Sequence, residues 1–462
     1  MALDLADVYR RSPVWAQHVM CSVEGFRLRR LRFSADFEER LAQARIRSGW
    51  TMAQLQAHRL VRLRAMLVHA QRHVPYWRDV FASCGLQPAR MQHADELTVL
   101  PLLTKDIVVR EGPRLRAGEL PHAVLRTPVE LHTSGTTGSG LELVASVEAL
   151  REQWATCWRY REWHGLRRGT WCATLGGRVI VPADDRRPPY WRFNVPGRQL
   201  LMSGHHFGPA TAPAYLEVLR RHEIPWIHGY PSMVAALADA ALTTGAQLPA
   251  LRWVTLASES VSAGQRRRIV DGLGVQPREH YAQTESVANF SECPLGRLHV
   301  DEDHAMVEFI PHGHDGGQAL HRVIGTSLDS WHQPFVRYDL GDLVVLDHTP
   351  CPCGRPGRIV LDVDGRREDL VELADGRQVG RAGEIFKKLE FIREAQIRQR
   401  TAGEITVALV PRGAWTAAHE AELRASVDAR LGSDTRMHVE LCEQLPRTAS
   451  GKLRHVVREG ND

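Results

Sequence analysis

The sequence predicts an α/β protein in which a large N-terminal domain mixes sheets and helices and a small α+β domain follows it. Residues 1 to about 100 read as helical, because apolar residues recur there at three- and four-residue spacing. Strand-like and helix-like segments alternate from about 125 to 345, which favours an α/β sheet. The 462 residues exceed one ordinary domain, so we expect more than one.

We expect three parts along the chain. A helical part, residues 1–100, opens the large domain, its core follows over residues 101–365, and the small domain occupies residues 366–462. The boundary between the two domains is predicted as a short hinge around Gly365, since neither a long low-complexity linker nor an internal repeat is found.

Helix signals are clear in the first part. The segments 27–44 and 52–73 have helical spacing, and Pro75 ends the second because it forces Val74 out of the helical region. Thr104 offers the next helix start.

The core and the small domain alternate strands with helices. Strands are predicted at 171–181, 225–230, 251–258 and 301–310. Helices fit at 231–245 and 262–274, each closing on a glycine suited to a C-cap. In the small domain we expect helices near 382–391 and 418–431, with strands before, between and after them.

Composition excludes several classes of function. The 59 basic and 54 acidic residues leave a net charge of +5, which argues against nucleic acid as the main partner. No run approaches the roughly 18 apolar residues of a membrane span, and the N-terminus lacks a signal-peptide pattern. Eight cysteines in so long a chain do not indicate a disulfide scaffold, so we expect a cytoplasmic protein.

A loop of small polar residues, TSGTTG at 133–138, is the most informative stretch. Its glycines let the backbone approach a ligand closely, and successive amides in such a turn form an anion-binding concavity. Apolar residues resume at Leu141, so the loop is expected to join two strands. It is neither a Walker loop nor a GxGxxG fingerprint, and alone it would be read as an ordinary hairpin turn.

Three more sites carry side chains suited to a nucleotide. Tyr281 can cover an adenine face, Thr284 can reach a phosphate and Glu285 can hold Mg²⁺. The alternative interpretation of this segment is a strand end with a capping glutamate. Asp342, after a glycine turn, can accept both ribose hydroxyls, or it can be an ordinary Asp turn. Lys452 is a mobile point charge near the C-terminus, where a frayed basic tail is the alternative.

Together these segments resemble the adenylate-forming superfamily of acyl-CoA synthetases, adenylation domains and luciferases. Five motifs match in the superfamily's order: TSGTTG at 133–138, YGxTE at 281–285, YxTGD at 338–342, the hinge GRxxD at 365–369 and PxTxxGK at 446–452. The chain looks most like the phenylacetate-CoA ligase and CapK-like branch. The segments that carry this likeness are 12–15, 74–77, 229–232 and 351–355.

The resemblance implies a role for each matched residue. Thr284 would contact the α-phosphate of ATP and Glu285 the Mg²⁺, while the loop binds the β- and γ-phosphates. Asp342 would hold the ribose, and Lys452 would bridge the carboxylate and the ribose side. The residues assigned to ATP binding are Thr133, Ser134, Gly135, Thr136, Thr137, Gly138, Ser258, Glu259, Tyr281, Asp342 and Arg366. In the superfamily the small domain rotates after adenylation, which places the pivot near Arg366–Asp369.

Several segments depart from the superfamily's pattern. Ala282 replaces the glycine of YGxTE, and Arg454 comes one place earlier than the arginine that often follows the terminal lysine. Gly140-Leu141 stands where many relatives have Pro-Lys, so no loop lysine can share the phosphate charge. The glycine-rich segment on the adenine side appears as Ala257–Ser260, and Leu340 replaces a threonine. These changes bear on nucleotide affinity more than on the type of reaction.

A metal site is the further candidate. Cys293, His299, Cys351 and Cys353 supply four thiolate or imidazole ligands, enough for a closed tetrahedral Zn²⁺ site. Cys-x-Cys is tighter than the common zinc spacing, so buried thiols are the alternative. The resemblance favours the metal, because some relatives carry zinc at these places, and four protein ligands would make it structural.

The sequence leaves three functions open. The first is an ATP-dependent ligase that adenylates a carboxylic acid, by resemblance an aryl or similar small acid, and passes the acyl group to coenzyme A. The second uses an amine, a hydroxyl or a carrier-protein thiol as the acceptor. The third is a nucleotide-binding module without catalysis, which the intact Lys452 and Glu285 disfavour. ATP and a small acid are the expected partners, nucleic acid and membrane are not, and a homodimer and a carrier protein remain open.

Overall fold

The computed structural model describes residues 5–122, 124, 128–132, 141–182, 185, 187–315, 318–366, 371–374, 378–379, 385–386, 389–447 and 453–458. The loop Thr133–Gly138, the hinge residues Arg367–Asp369 and the terminal Lys452 lie outside these ranges. Half of the helix predicted near 382–391 lies outside them too.

The α-helices of the described residues concentrate in the first third of the chain and around the core sheet. They are α1 Leu5–Arg11, α2 Val14–Arg32, α3 Ala35–Arg47, α4 Met52–His73, α5 Pro75–Cys84, α6 Lys105–Glu111, α7 Val147–Trp163, α8 Ala212–Arg221, α9 Pro231–Thr244, α10 Ala263–Leu273 and α11 Ala417–Leu431. No described helix combines the length and the apolar content that a bilayer crossing needs.

The strands follow from residue 129 onward. They are β1 Val129–His132, β2 Glu142–Ala145, β3 Cys172–Gly176, β4 Trp191–Asn194, β5 Gln199–Ser203, β6 Trp226–Gly229, β7 Trp253–Leu256, β8 Pro277–Ala282, β9 Asn289–Glu292, β10 Leu298–Val300, β11 Ala305–Asp315, β12 Gln318–Ser327, β13 Tyr338–Asp347, β14 Ile359–Arg366, β15 Val371–Glu372, β16 Gln378–Val379, β17 Ile392–Gln399, β18 Glu404–Pro411, β19 Arg436–Leu441 and β20 Val456–Arg458.

Local capping signals place several helices where the sequence predicts them. Helix α4 begins at a capping box of Thr51 and Gln54 and ends before Pro75. Helices α9 and α10 close on Gly245 and Gly274, whose φ angles of 68° and 70° are left-handed and suit glycine. These three predictions are confirmed.

The predicted helix 27–44 is wrong as one continuous segment. Helix α2 runs to Arg32, and α3 begins at Ala35 after the N-cap residue Ser34. Ser34 has the extended backbone of an N-cap residue, with φ −89° and ψ −179°, although its side chain makes no capping hydrogen bond. Phe33 occupies the break and packs edge-on against the buried Phe37, with ring centroids 4.9 Å apart, so the chain turns where this aromatic pair forms.

One sheet organises the large part of the chain. Its strand order is β11-β12-β13-β14-β10-β9-β8-β7-β6-β3-β5-β4. The strands β5, β3, β6, β7 and β8 pair in parallel, whereas the strands from β8 to β11 pair antiparallel. The predicted α/β class with mixed sheets is therefore confirmed, and the parallel half places the ends of β3, β6, β7 and β8 at one edge.

Two predicted strands are shorter than expected. The segment 171–181 pairs only over β3, because the chain leaves the sheet at the pair Gly176-Gly177. The segment 301–310 enters the ladder only at Ala305. Residues 301–303 turn away from the sheet, and their carboxylates bind arginines of α3, α4 and α7.

Those carboxylates form a buried ionic cluster. Asp303 accepts hydrogen bonds from Arg47 at 2.5 Å and from Arg159 at 2.7 Å, and its side chain is only 4% exposed. Arg159 also binds Asp301 at 2.7 Å, and Arg59 binds Glu302. Burial alone would raise the pKa of Asp303, but the two guanidinium groups lower it well below its ordinary value.

The C-terminal residues have a hydrophobic core of their own. Strands β19-β18-β17-β20 form a sheet in that order, covered by α11, and β15 and β16 form a separate pair. The buried residues of this core run from Val371 to Val456. The unit contacts the large part through α9 and α10, where Arg412 binds Asp239 at 3.2 Å and Arg267 binds Glu390 at 3.0 Å.

The first testable prediction concerns Asp303. Asp303→Asn should lower the free energy of unfolding by about 3–5 kcal/mol, because it leaves Arg47 and Arg159 buried without their shared counter-charge. Denaturant unfolding followed by circular dichroism measures the change. Glu217→Gln, which breaks an exposed pair with Arg220, is the control and should leave the unfolding midpoint unchanged. Equal midpoints for wild type and Asp303→Asn would contradict the prediction.

Candidate active site

The candidate site lies at the edge where the parallel strands end. Tyr281 is the last residue but one of strand β8, and Thr284 and Glu285 form the turn that follows the strand. All three residues are half-buried. Ser258 and Glu259 follow the neighbouring strand β7 in a bend. Ligands bind at such carboxyl ends in open α/β sheets, so the predicted residues share a suitable edge.

The Tyr281 and Asp342 side chains meet although 61 residues separate them. The Tyr281 hydroxyl donates to Asp342 Oδ2 at 2.5 Å. The tyrosine ring stacks on Phe290, with centroids 4.5 Å apart and 19° between the planes. Burial and the Asp342 carboxylate raise the pKa of Tyr281 well above its ordinary value, so its hydroxyl stays a donor. The tyrosine thus fixes the carboxylate proposed for the ribose.

Glu285 faces the other matched tyrosine. The Tyr338 hydroxyl lies 3.5 Å from Glu285 Oε1, with Tyr338 itself buried at the start of β13. Strand β13 therefore brings the motif at 338–342 against the motif at 281–285. Tyr338 contacts Glu285, and Asp342 contacts Tyr281. The predicted convergence of these two motifs is observed.

The turn that carries Thr284 and Glu285 is braced by residues that the sequence did not indicate. Ser286 has a φ of 55°, a left-handed conformation that is costly outside glycine. Its hydroxyl lies 3.2 Å from Nε2 of His304, the residue after the buried ionic cluster. Gln153 of α7 donates to the Gln283 carbonyl at 2.9 Å, which holds the start of the same turn.

The strands that flank the small polar loop are described, although the loop is not. β1 and β2 pair antiparallel, with Leu131 opposite Leu143, so the prediction that the loop joins two strands is confirmed. Leu141 and Leu143 pack in one core cluster with Val287 and Tyr338. The base of the loop therefore lies against Tyr338 of one matched motif and against Val287, two residues after the other.

The remaining predicted residues occupy distinct positions. Ser258 has a φ of 73°, the left-handed conformation that glycine favours. The Arg366 backbone is paired with Asp342 in the β13–β14 ladder. Glu259 accepts a hydrogen bond from the Leu453 amide at 3.2 Å, which brings the residue after Lys452 to the end of β7.

The four predicted metal ligands converge. Potential ligand atoms of Cys293, His299, Cys351 and Cys353 all lie within 4.8 Å of one another. Cys293 Sγ is 3.7 Å from Cys351 Sγ, and Cys353 Sγ is 3.4 Å from His299 Nε2. With Zn–S bonds of about 2.3 Å, tetrahedral geometry separates two sulfurs by about 3.8 Å. The donor set therefore fits a Zn²⁺ ion.

The surroundings of the cluster also suit a metal. His299 Nδ1 donates to the Pro356 carbonyl at 3.0 Å, which leaves the Nε2 lone pair facing the sulfurs. Arg355, beside Cys353, lies over the Trp163 ring of α7 at 4.6 Å, so the cysteine loop packs on a helix. Cys293 and His299 are buried.

The C-terminal unit matches a known domain family. Residues 374–459 match the CapK C-terminal domain. The protein CapK of Staphylococcus aureus is 22% identical to this chain, and the match covers 97% of this chain and 98% of CapK. A phenylacetate-coenzyme A ligase of Pseudomonas putida is 24% identical over 87% of this chain and 93% of that protein.

Solved structures share the fold. A 2-hydroxyisobutyryl-CoA ligase in its postadenylation state, 18% identical, superposes with a TM-score of 0.68 over 89% of this chain and 91% of that chain. The same ligase in its thioesterification state gives a TM-score of 0.52 over 89% of this chain and 92% of that chain. The likeness extends through both the large and the C-terminal parts of the fold.

The second testable prediction concerns His280, the residue before Tyr281. Burial lowers the pKa of His280 to about 3, so it is neutral in the native state and must bind a proton when the chain unfolds in acid. Its stabilising effect is complete above pH 6.5 and is lost as the pH falls from there towards 3. Between pH 6.5 and 3, the unfolding free energy of His280→Gln should therefore fall less steeply with decreasing pH than that of the wild type, by about 1.4 kcal/mol per pH unit.

Unfolding free energies of the wild type and His280→Gln, measured at several pH values, give this difference directly. Other groups titrate equally in both proteins, so the difference between the two slopes isolates the histidine. Parallel curves for the two proteins would contradict the neutral, buried state.

Proposed function

Because the chain is an adenylate-forming protein of the phenylacetate-CoA ligase-like and CapK-like type, we propose that it joins a carboxylic acid to AMP and transfers the acyl group. Its class is that of an ATP-dependent, AMP-forming ligase. The acid attacks the α-phosphate of ATP, pyrophosphate leaves, and the acyl group then passes from AMP to coenzyme A. AMP is a good leaving group, whereas the oxide of a free carboxylate is not.

The meeting of Tyr281 and Asp342 carries this proposal. Their 2.5 Å hydrogen bond joins two of the matched motifs at the edge of the sheet. The base of the small polar loop packs in one core cluster with Val287 and Tyr338, which lie near Tyr281 and Asp342 in the sequence. An ordinary Asp turn or a capping glutamate, the alternatives from sequence, would not require these contacts.

The proposed roles follow from the chemistry of each group. Glu285 would hold Mg²⁺, which prefers oxygen ligands and neutralises phosphate charge. Thr284 would donate to the α-phosphate, and Asp342 would accept the ribose hydroxyls. The loop Thr133–Gly138 would offer amides and hydroxyls to the β- and γ-phosphates. Lys452 would neutralise the attacking carboxylate and the developing charge.

The substrate and the acceptor are the finer parts of the proposal. The phenylacetate-coenzyme A ligases among the relatives support an aryl or similar small acid and coenzyme A as the acceptor. The likeness to CapK supports a second candidate, because it covers nearly the whole chain and its C-terminal domain. In that candidate the acceptor is an amine, a hydroxyl or a carrier-protein thiol.

The domain division is part of the same proposal. The large domain comprises a helical part, 1–100, and an AMP-binding core, 101–365, and the small domain spans 366–462. The separate hydrophobic core from Val371 to Val456 supports this boundary. A hinge at 365–369 would let one site serve adenylation and acyl transfer in turn.

The third testable prediction is the reaction itself. Pyrophosphate release should depend on ATP and on one class of acid from a panel of aryl and small aliphatic acids. Addition of coenzyme A should convert that acid into a thioester. Lys452→Ala should lower acid-dependent pyrophosphate release by orders of magnitude while ATP still binds. Pyrophosphate release with the acid, but no thioester with coenzyme A, would select the second candidate.

The fourth testable prediction is one zinc ion per chain. Elemental analysis of protein made in zinc-replete medium should find about one Zn²⁺, held by Cys293, His299, Cys351 and Cys353. Chelation should lower the melting temperature, because four protein ligands make the metal structural. Cys353→Ser should lose the metal, whereas Cys84→Ser, at a thiol distant from the cluster in sequence, should keep it. Metal-free protein with a melting temperature unaffected by chelation would exclude the site.

A further inference from the structure

Two residues of the C-terminal unit, Arg447 and Leu453, contact the large domain at one place. They flank residues 448–452 in sequence. Arg447 donates to the Ser232 hydroxyl at 3.0 Å, and the Leu453 amide donates to Glu259 at 3.2 Å. Ser232 is hydrogen-bonded to Glu259, so Arg447 and Leu453 contact the same polar cluster.

Glu259 is the centre of this cluster. Its carboxylate accepts the Ser232 amide and the Ser232 hydroxyl, both at 3.1 Å, besides the Leu453 amide. Ser232 is the second residue of α9, so the carboxylate lies at a helix N-terminus, where the helix dipole favours negative charge. Glu259 therefore contacts helix α9 and the segment at Leu453. The sequence predicts only a role for Glu259 in binding the nucleotide, on the side of the adenine.

The Ser232 hydroxyl links the two domains because it both donates and accepts a hydrogen bond. It donates its proton to Glu259 Oε1, and its lone pair accepts from Arg447. Ser232 is 7% exposed, so water competes little for either bond. Arg447 is itself held within the C-terminal unit by Glu394 at 2.6 Å. A continuous polar chain thus runs from Glu394 through Arg447 and Ser232 to Glu259.

We propose that Ser232 and Glu259 are positioning residues that dock the C-terminal unit for adenylation, together with Arg447. The inference rests on the proposed function, because it concerns the half-reaction that needs Lys452. The Leu453 nitrogen is bonded to the Lys452 carbonyl carbon, so anchoring that amide restricts where the lysine can reach. The contacts are polar, so water can hydrate each group once the unit has moved away, which allows the unit to leave after adenylation.

The docking predicts a split between the half-reactions. Ser232→Ala and Arg447→Ala should each slow acid-dependent ATP–pyrophosphate exchange about tenfold, the effect of losing charge-assisted hydrogen bonds. Transfer from preformed acyl-adenylate to the acceptor should change less than twofold, because that step does not need the docked lysine. Arg398→Ala, which breaks an Arg–Glu pair within the C-terminal unit, is the matched control and should leave both rates unchanged. Equal losses in both half-reactions, or no loss in exchange, would overturn the proposal.

A measurement without substrates separates this inference from the proposed function. Glu259→Ala removes the acceptor of the Leu453 amide, so hydrogen exchange of the peptide 453–458 should speed up about tenfold or more at that amide. Arg447→Ala should speed it up by a smaller factor. Unchanged exchange in Glu259→Ala would reject the docking contact whatever the enzyme does. If Glu259→Ala speeds up the exchange but the wild-type protein activates no acid, the docking contact is supported and the proposed reaction is rejected.

Discussion

The buried ion pairs of Asp303 with Arg47 and Arg159 are the interaction on which the candidate site depends. They join α3 and α7 to the turn before β11, across 256 and 144 residues of chain. Buried charges of this kind are costly when one partner is missing, so the helices and the sheet must assemble together. His304 follows Asp303 directly and supports Ser286, so the same assembly braces the turn that carries Glu285.

The antiparallel half of the sheet connects the metal cluster to the nucleotide residues. The loop with Cys351 and Cys353 joins β13 to β14, and His299 lies on the next strand, β10. The opposite end of the β13–β14 ladder pairs Asp342 with Arg366. A zinc ion in the loop would thus fix the pairing of two strands whose far ends carry the proposed ribose contact and the hinge. Its contribution would be to alignment, at a distance from the reaction.

The parallel half of the sheet presents the site to the C-terminal unit. Strand β7 ends at Ser258 and Glu259, and helix α9 begins near the same edge with Ser232. The C-terminal unit reaches this edge through hydrogen bonds and ion pairs, whereas each side has its own hydrophobic core. Polar docking between separately packed bodies suits the proposed rotation of the C-terminal unit, since apolar surface would resist exposure at every cycle.

The amino-acid sequence alone was enough to predict the order of the motifs, the end of α4, the C-caps of α9 and α10, and the four cysteine and histidine residues that converge. Each is a local signal, readable from neighbours along the chain. Tertiary structure decided the break at Ser34, the late start of β11, the strained Ser286 and the bond from Arg447 to Ser232. These depend on side chains that burial brings together from distant positions, such as the 215 residues between Arg447 and Ser232, and no local pattern encodes such a meeting.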